Sequence, residues 1–340
     1  MTDESKPDVS FVIAAYNAQD TLARAIDSAL AQQGVTVEVI VVDDCSSDRT
    51  REVAAGYEDV RVRLVAQPRN GGPGAARNAG IAAAVGRWLA VLDSDDALYP
   101  TRMKQMIARA EEAGAEIAVD NIEVEPADGK RVKMFPESML ASRPVLTFAD
   151  FITSNTLFDE THNFGYMKPI FSRPFIERHG IRYDELLRIG EDYIFLASAL
   201  AKGGKCVVEP SVGYIYYIRE GSISRVLELR HVDAMIAGDE RFLRAHTLDA
   251  EAQAAQKLRA QSLREARAFL MLVDALKQKS IRRALSAAWQ EPRSIRHLAM
   301  PIAARLRRLA APFRRPNPPA AINPAADLPS LGGGPHSSKG

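Results

Sequence analysis

Two apolar runs near the start of the chain, 9–14 (VSFVIA) and 35–42 (VTVEVIVV), are rich in β-branched residues and nearly unbroken. That is the pattern of strands buried on both faces. Between them, residues 20–33 repeat with a helical period: Leu22, Ala25, Ile26, Ala29 and Leu30 share one stripe, and Gly34 stands where a helix would stop. The alternation continues. Ser46 or Ser47 is placed to cap a helix running to about Ala55, 60–65 reads as strand, 74–85 as helix and 88–92 as strand. Strands alternating with helices of this length predict a mostly parallel, doubly wound α/β sheet.

After Asp96 the rhythm changes. A helix is expected over 101–113, then two strands, 116–124 and 130–135, either side of the hairpin signal Asp128-Gly129. Short helices are expected over 147–153 and 174–179, a strand over 166–171, and a firmer helix over 191–202 ended by Gly203-Gly204. The aromatic stretch 214–219 reads as strand, and 224–278 reads as helix throughout. The last stretch, 316–340, is too poor in apolar residues to offset its ordering entropy and is expected to be disordered.

The first strand enters its loop as Ala14-Ala15-Tyr16-Asn17. With no glycine there, the dinucleotide fingerprint is excluded, and no G-x-x-x-x-G-K-[ST] phosphate loop occurs anywhere. Carboxylates stand at the strand ends instead: Asp43-Asp44 after the second and Asp93-Ser94-Asp95-Asp96 after the fourth. Ligands of open α/β sheets bind outside the carboxyl ends of strands. Five acids with no arginine beside them repel one another, by about 4 kcal/mol per pair at ~4 Å near a surface. A compensating cation is therefore expected, and an all-oxygen set suits Mg²⁺ or Mn²⁺.

Five segments occur in the order found in family 2 inverting glycosyltransferases of the GT-A fold: FVIAAYN (11–17), VVDDCSSD (41–48), NGGPGAARNAG (70–80), LDSDD (92–96) and IGEDY (189–193). The chain resembles that family over roughly residues 8–225, and its whole pattern is most similar to members that build succinoglycan-type bacterial exopolysaccharide, glucosyltransferases among them. The resemblance implies a GT-A catalytic region over 1–222, with a nucleotide-binding half at 1–98 and an acceptor half at 99–222. A helical extension at 223–280 would follow.

The resemblance also implies roles. Ala14 and Tyr16 would line the nucleotide pocket, with Tyr16 stacked on the base. Asp44 would accept from uracil N3–H, a contact that cytosine, itself an acceptor there, cannot make. Arg77 would reach the nucleotide or its diphosphate, and Asn78 would hold loop geometry. Asp95 and Asp96 would hold ribose and metal with Asp93 nearby, Asp96 being the favoured ligand. Asp192 would be the base that takes the acceptor's proton, with Glu191 orienting it or only capping the helix. Tyr166 and Lys168 would belong to an acceptor wall, and Arg219 and Ser222 to a loop closing over the diphosphate. Plainer readings stay open for several residues. Arg77 can also be read as a solvated helix-face arginine, Glu191-Asp192 taken alone as first-turn acids, and His162 and Lys168 as surface groups.

Composition narrows the partners. Forty-four basic residues balance forty-three acidic ones, so a globally basic nucleic-acid binder is not expected. Two cysteines, Cys45 and Cys206, make neither a disulfide framework nor a four-ligand zinc site. The polar start MTDESKPDVSF and the absence of any ~18–20-residue apolar run lead to the expectation of a cytoplasmic chain, peripheral at the inner face of the membrane. Residues 281–316 hold nine arginines and a single acid, Glu291. Leu298, Ile302, Leu306 and Leu309 fall on one face there, so 281–315 reads as a basic amphipathic segment for anionic lipid. The expected reaction moves a sugar, glucose by the resemblance, from a UDP-sugar to a lipid-linked oligosaccharide. Rival readings are a degenerate sugar-nucleotide-binding scaffold and a sugar-phosphate nucleotidyltransferase.

Overall fold

The computed structural model describes residues 6–126, 128–158, 162–218 and 227–298. Its first third follows the predicted alternation: β1 (Val9–Ala15), α1 (Leu22–Leu30), β2 (Val37–Asp43), α2 (Thr50–Ala55), β3 (Val62–Ala66), α3 (Pro73–Ala83) and β4 (Trp88–Val91). β1 pairs in parallel with both β2 and β4, and β2 with β3. β1, β2 and β4 are almost wholly buried, as unbroken apolar runs require. The helices lie on both faces, so the sheet separates two apolar clusters, one holding Val12, Ile40 and Leu89 and the other Phe11, Val39 and Ala90.

Ser46 and Ser47 do not cap α2, which starts at Thr50. Ser46 accepts from the Asn17 amide at 3.0 Å, and the Ser47 amide donates to Asn17 Oδ1 at 2.9 Å. The two serines thus tie the β2 exit to the β1 exit. Asp48, whose Oδ1 accepts from the Thr50 amide at 2.9 Å, meets the helix start instead.

The rest of the sheet is mixed. β5 (Ala97–Leu98), α4 (Arg102–Ala113), β6 (Ile117–Glu125), β7 (Val132–Lys133), α5 (Glu137–Ala141), α6 (Phe148–Ser154), β8 (Ile170–Ser172), α7 (Arg173–Arg178), α8 (Glu191–Ala201) and β9 (Cys206–Tyr217) follow in order. Among the described residues the strand order is β3-β2-β1-β4-β8-β6-β9-β5, with the β6–β7 hairpin closing around Asp128-Gly129. β8 is antiparallel to both β4 and β6, while β6 and β9 are parallel. The strand expected over 166–171 is shorter: Phe164–Tyr166 forms a 3-10 turn, and pairing begins at Ile170.

The helical stretch expected over 224–278 is two helices, α9 (Leu229–Ala245) and α10 (Ala250–Lys277), followed by α11 (Ile281–Gln290). The break falls where Asp249 caps α10 by accepting from the Ala252 amide at 2.7 Å. A buried ion pair joins the two helices, Arg259 Nε lying 2.9 Å from Asp239 Oδ2. Arg259 also donates to the Asn155 carbonyl at 2.8 Å and lies 3.5 Å over the Tyr193 ring. The described residues up to His297 pack as one compact unit. Of the expected basic segment, α11 and a 3-10 stretch over Pro292–Leu298 are described. Arg219, Ser222, Ile302, Leu306, Leu309 and the tail 316–340 lie outside the described residues.

Candidate active site

At the carboxyl end of β4 the acids part ways. Asp93 is half-buried and ion-paired with Arg77 Nη2 at 2.8 Å and Lys168 Nζ at 2.7 Å. Asp96 is wholly buried. It accepts from the Tyr214 hydroxyl at 2.7 Å and from the Tyr217 amide at 3.0 Å, which staples the end of β9 to this loop. Asp95 keeps a half-exposed side chain, and its carbonyl accepts from Arg24 of α1, whose guanidinium lies 3.7 Å over the Tyr217 ring.

Asp192, in the first turn of α8, faces the same cations. Its Oδ1 is 3.1 Å from Arg77 Nη1 and its Oδ2 is 3.1 Å from Lys168 Nζ. Glu191 holds Arg77 Nη1 at 2.7 Å. A buried arginine and a largely covered lysine therefore bridge three carboxylates, one just after β4 and two in the first turn of α8, residues far apart in sequence. The apolar surface beside Asp192 comes from Met167, Phe171, Tyr183, Phe195 and Leu196.

Charge balance sets the protonation of this cluster. Burial pushes the Asp93 carboxyl up, but Lys168 and Arg77 outweigh it and hold it well below the usual carboxylate range. Burial would discharge Lys168 and Arg77, yet Asp192 and Asp93 raise both well above their ordinary values. Glu191 is raised by burial and by its neighbour Asp192, with Arg77 offsetting only part. Asp96 has no cation against it. Burial, Asp93 and Asp95 push it up to about 8.

The five acids, expected to stand without basic partners, do not: tertiary structure brings Arg77 and Lys168 to Asp93, and Arg51 to Asp43 at 2.8 Å. Arg77 is buried and not a solvated helix-face residue, and Lys168 is largely covered and ion-paired with Asp93 and Asp192, not a free surface group. Asp96, the favoured metal ligand, is turned inward onto Tyr214 and Tyr217. Among the described residues, no group of three or more His, Cys, Asp or Glu side chains is arranged to hold a metal ion. The oxygen-only chemistry of the partly exposed Asp93 and Asp95 carboxylates at this loop is nevertheless of the kind that suits a divalent cation. Of the three acids, Asp93 and Asp95 are both partly exposed, and only Asp96 is wholly buried.

The β2 exit is built differently. Both carboxylate oxygens of buried Asp44 accept from backbone, Oδ1 from the Gly71 amide and Oδ2 from the Gly72 amide, each at 2.8 Å. This braces the loop that enters α3. Gly72 has φ +89°, and a Cβ there would lie 2.3 Å from the Arg188 guanidinium, so only glycine fits. Tyr16 stands 53% exposed at the β1 exit beside half-buried Ala14. Asn78 holds the Tyr183 backbone through bonds of 2.8 and 3.0 Å.

Tyr166 is half exposed on the 3-10 turn opposite Tyr216, and burial raises its hydroxyl. Gly165 beside it is packed so closely that a Cβ would lie 2.2 Å from Asn155 Oδ1. Behind Lys168 lies a pair that sequence reasoning missed. Arg102 Nε meets Asp120 Oδ2 at 2.7 Å, both wholly buried, and Arg102 Nη2 donates to the Lys168 carbonyl. An acid ending the apolar run Ile117-Ala118-Val119 was the available signal, because a charge inside a buried strand requires a partner. Arg24 left no comparable signal.

Residues 10–175 match the family model described as glycosyl transferase family 2. The succinoglycan biosynthesis protein ExoO of Rhizobium meliloti (strain 1021) is 61% identical over 339 residues, spanning 98% of this chain and 97% of that one. The chain belongs to glycosyl transferase family 2. A second R. meliloti family relative, the succinoglycan biosynthesis protein ExoU, is 32% identical over 308 residues, 87% of this chain and 86% of that one. Among solved structures, residues 1–349 of Staphylococcus aureus TarS, crystallised in complex with UDP-GlcNAc, superpose with a TM-score of 0.56 at 20% identity, covering 84% of this chain and 92% of that one. The mannosyltransferase PcManGT of Pyrobaculum calidifontis, solved with GDP-Man and Mn²⁺, gives 0.57 at 16% identity, covering 89% and 81%. These likenesses establish the GT-A fold for this family 2 chain.

Proposed function

We propose that the chain transfers a hexose, glucose by its likeness to succinoglycan proteins, from a UDP-sugar to a lipid-linked oligosaccharide, with inversion, during assembly of a succinoglycan-type exopolysaccharide. The observation that carries this reading is the joining of Asp192 to Asp93 through Arg77 and Lys168. It sets a candidate base beside the carboxyl ends of β1, β2 and β4, where a GT-A sheet would receive its donor.

In this reading Asp192 accepts the proton of the acceptor hydroxyl as that oxygen bonds to the anomeric carbon. The bond from that carbon to the diphosphate oxygen breaks with its electron pair, releasing UDP. A single displacement inverts the anomeric centre and needs no covalent enzyme intermediate. Arg77 and Lys168 hold one Asp192 oxygen each and so fix the carboxylate's orientation. Tyr16 stacks on the base. Asp44 has already spent one lone pair of each oxygen on Gly71 and Gly72, and accepts uracil N3–H with a remaining one. Asp95 is the residue that would hold a Mg²⁺ or Mn²⁺ ion, and such an ion would supply charge neutralisation to the departing diphosphate. Tyr166 belongs to the acceptor wall. Among the described residues no helix is long and apolar enough to cross a membrane, and we assign the protein to the cytoplasmic face, where a lipid-linked acceptor would be extended.

The test is Asp192→Asn. It leaves two cations facing two carboxylates, a balanced cluster, so the fold and UDP affinity should change little while transfer falls roughly 10²- to 10⁴-fold. Equal loss of UDP affinity and turnover would contradict the assignment of the base. Hydrolysis of a panel of UDP- and GDP-sugars by the parent protein identifies the donor.

A further inference from the structure

The last helix described turns an apolar face to solvent. Along α11, Ile281, Leu285 and Trp289 follow at four-residue spacing and are 74%, 65% and 88% exposed, while Ala284 and Ala287 make the buried side. Ile295 in the following 3-10 stretch and Leu276 at the end of α10 are also about half exposed. Single exposed apolar residues are ordinary; a run of this size on one helix face is not.

The rim of that face is basic. Lys277, Lys279, Arg282, Arg283 and Arg293 are all exposed, while Arg296 is held by Glu265 at 2.9 Å. Against them stand Asp274, which accepts from Gln278 at 2.9 Å, and half-buried Glu291. In the sequence just beyond, residues 299–316 add five arginines and no acid.

We propose that this face docks on an anionic lipid bilayer, with Trp289, Leu285 and Ile281 entering the headgroup–acyl boundary and the surrounding lysines and arginines meeting lipid phosphates. Charge complementarity selects the occupant. A second copy would set one basic rim against another, whereas anionic lipid supplies the opposite sign along the whole edge. An indole, apolar in body with one N–H, suits that boundary. The face also connects to the site. α11 packs on α10, α10 on α6, and Phe151 of α6 stacks on Tyr193 of α8, next to Asp192. Docking at α11 would therefore hold the transfer site near the surface from which a lipid-linked acceptor projects. The inference goes beyond the transfer reading, and its vesicle-binding readouts need neither donor nor acceptor.

The chain has two tryptophans, and Trp88 is buried in β4, so a change of emission on adding vesicles reports Trp289. With the full chain, vesicles of phosphatidylcholine mixed with phosphatidylglycerol should shift the emission to the blue and permit quenching by brominated lipid. Pure phosphatidylcholine should do neither. Leu285→Ser with Trp289→Ser should weaken co-sedimentation at least ~10-fold, from the apolar area lost, and leave UDP-sugar hydrolysis unchanged. Arg282→Gln, Arg283→Gln and Arg293→Gln together should weaken it about 100-fold, at roughly 1 kcal/mol per cation.

Absence of any emission change with anionic vesicles, or equal binding to phosphatidylcholine alone, overturns the proposal. So does a dimer on size exclusion that the serine pair dissolves while vesicle binding is unaffected, which would make the face a contact between copies. Binding that survives all five substitutions but disappears on deleting residues 299–340 would move the function to the terminal segment and also refute this face.

Discussion

Replacing Arg77 by methionine keeps most of the side-chain volume and removes one charge from the centre of the cluster. In the parent protein Arg77 and Lys168 face Asp93, Glu191 and Asp192. The variant leaves Lys168 alone against three acids. Arg77 is about nine-tenths buried, so water cannot take over its role. Removing one partner of a buried pair costs about 3–5 kcal/mol, which for a chain of this size lowers the melting temperature by roughly 4–7 °C.

The loss should depend on pH, with a definite sign. Glu191 is already raised in the folded protein and rises further without Arg77. A carboxyl raised on folding contributes stability that is present at low pH and lost as pH climbs through its folded value. The variant therefore recovers stability as pH falls from the raised folded value of Glu191 toward the ordinary carboxylate range. Asp93 in the parent is depressed, and it sheds its contribution only in more acidic solution. The deficit of Arg77→Met should accordingly shrink as pH falls. Urea unfolding followed by circular dichroism at several pH values measures it. A deficit under ~1 kcal/mol, the range of exposed pairs, or one that does not change with pH, would refute the bridging role of Arg77.

Asp95→Ala should remove the gain in UDP affinity that Mn²⁺ provides in calorimetry, and an undiminished gain would exclude Asp95 as the cation's holder. Asp96→Ala should instead cost about 1–3 kcal/mol of stability, since the Tyr214 hydroxyl and Tyr217 amide lose their acceptor, while keeping the Mn²⁺ gain. Tyr16→Ala should weaken UDP binding by roughly 5- to 100-fold if the ring stacks on the base, with melting unaffected because the side chain is exposed. Gly165→Ala should destabilise by about 1–3 kcal/mol as its new methyl displaces Asn155, and should raise KM for acceptor more than for donor.

Much of this protein was written in local pattern. The apolar runs 9–14 and 35–42 became β1 and β2 because strands covered on both faces have no polar side to display, and the helix stripe at Leu22, Ala25, Ile26 and Ala29 became the buried face of α1. Acids following β2 and β4 had to gather at one edge of the sheet, since parallel strands end on the same side. The motif order was enough to indicate the family.

Tertiary structure alone decided what each acid does. Asp93, Asp95 and Asp96 are near neighbours in sequence, yet one is ion-paired to Arg77 and Lys168, one holds Arg24 through its carbonyl and one is stapled inside to Tyr214, a residue more than a hundred positions away. Local sequence carries the period of burial but not the identity of distant charges. Whether a buried acid is ionised depends on which cation the fold carries to it. Arg77 and Lys168 reached Asp93 and Asp192 only because β4, α3, α8 and the segment before β8 converge, and that convergence turns scattered carboxylates into a site.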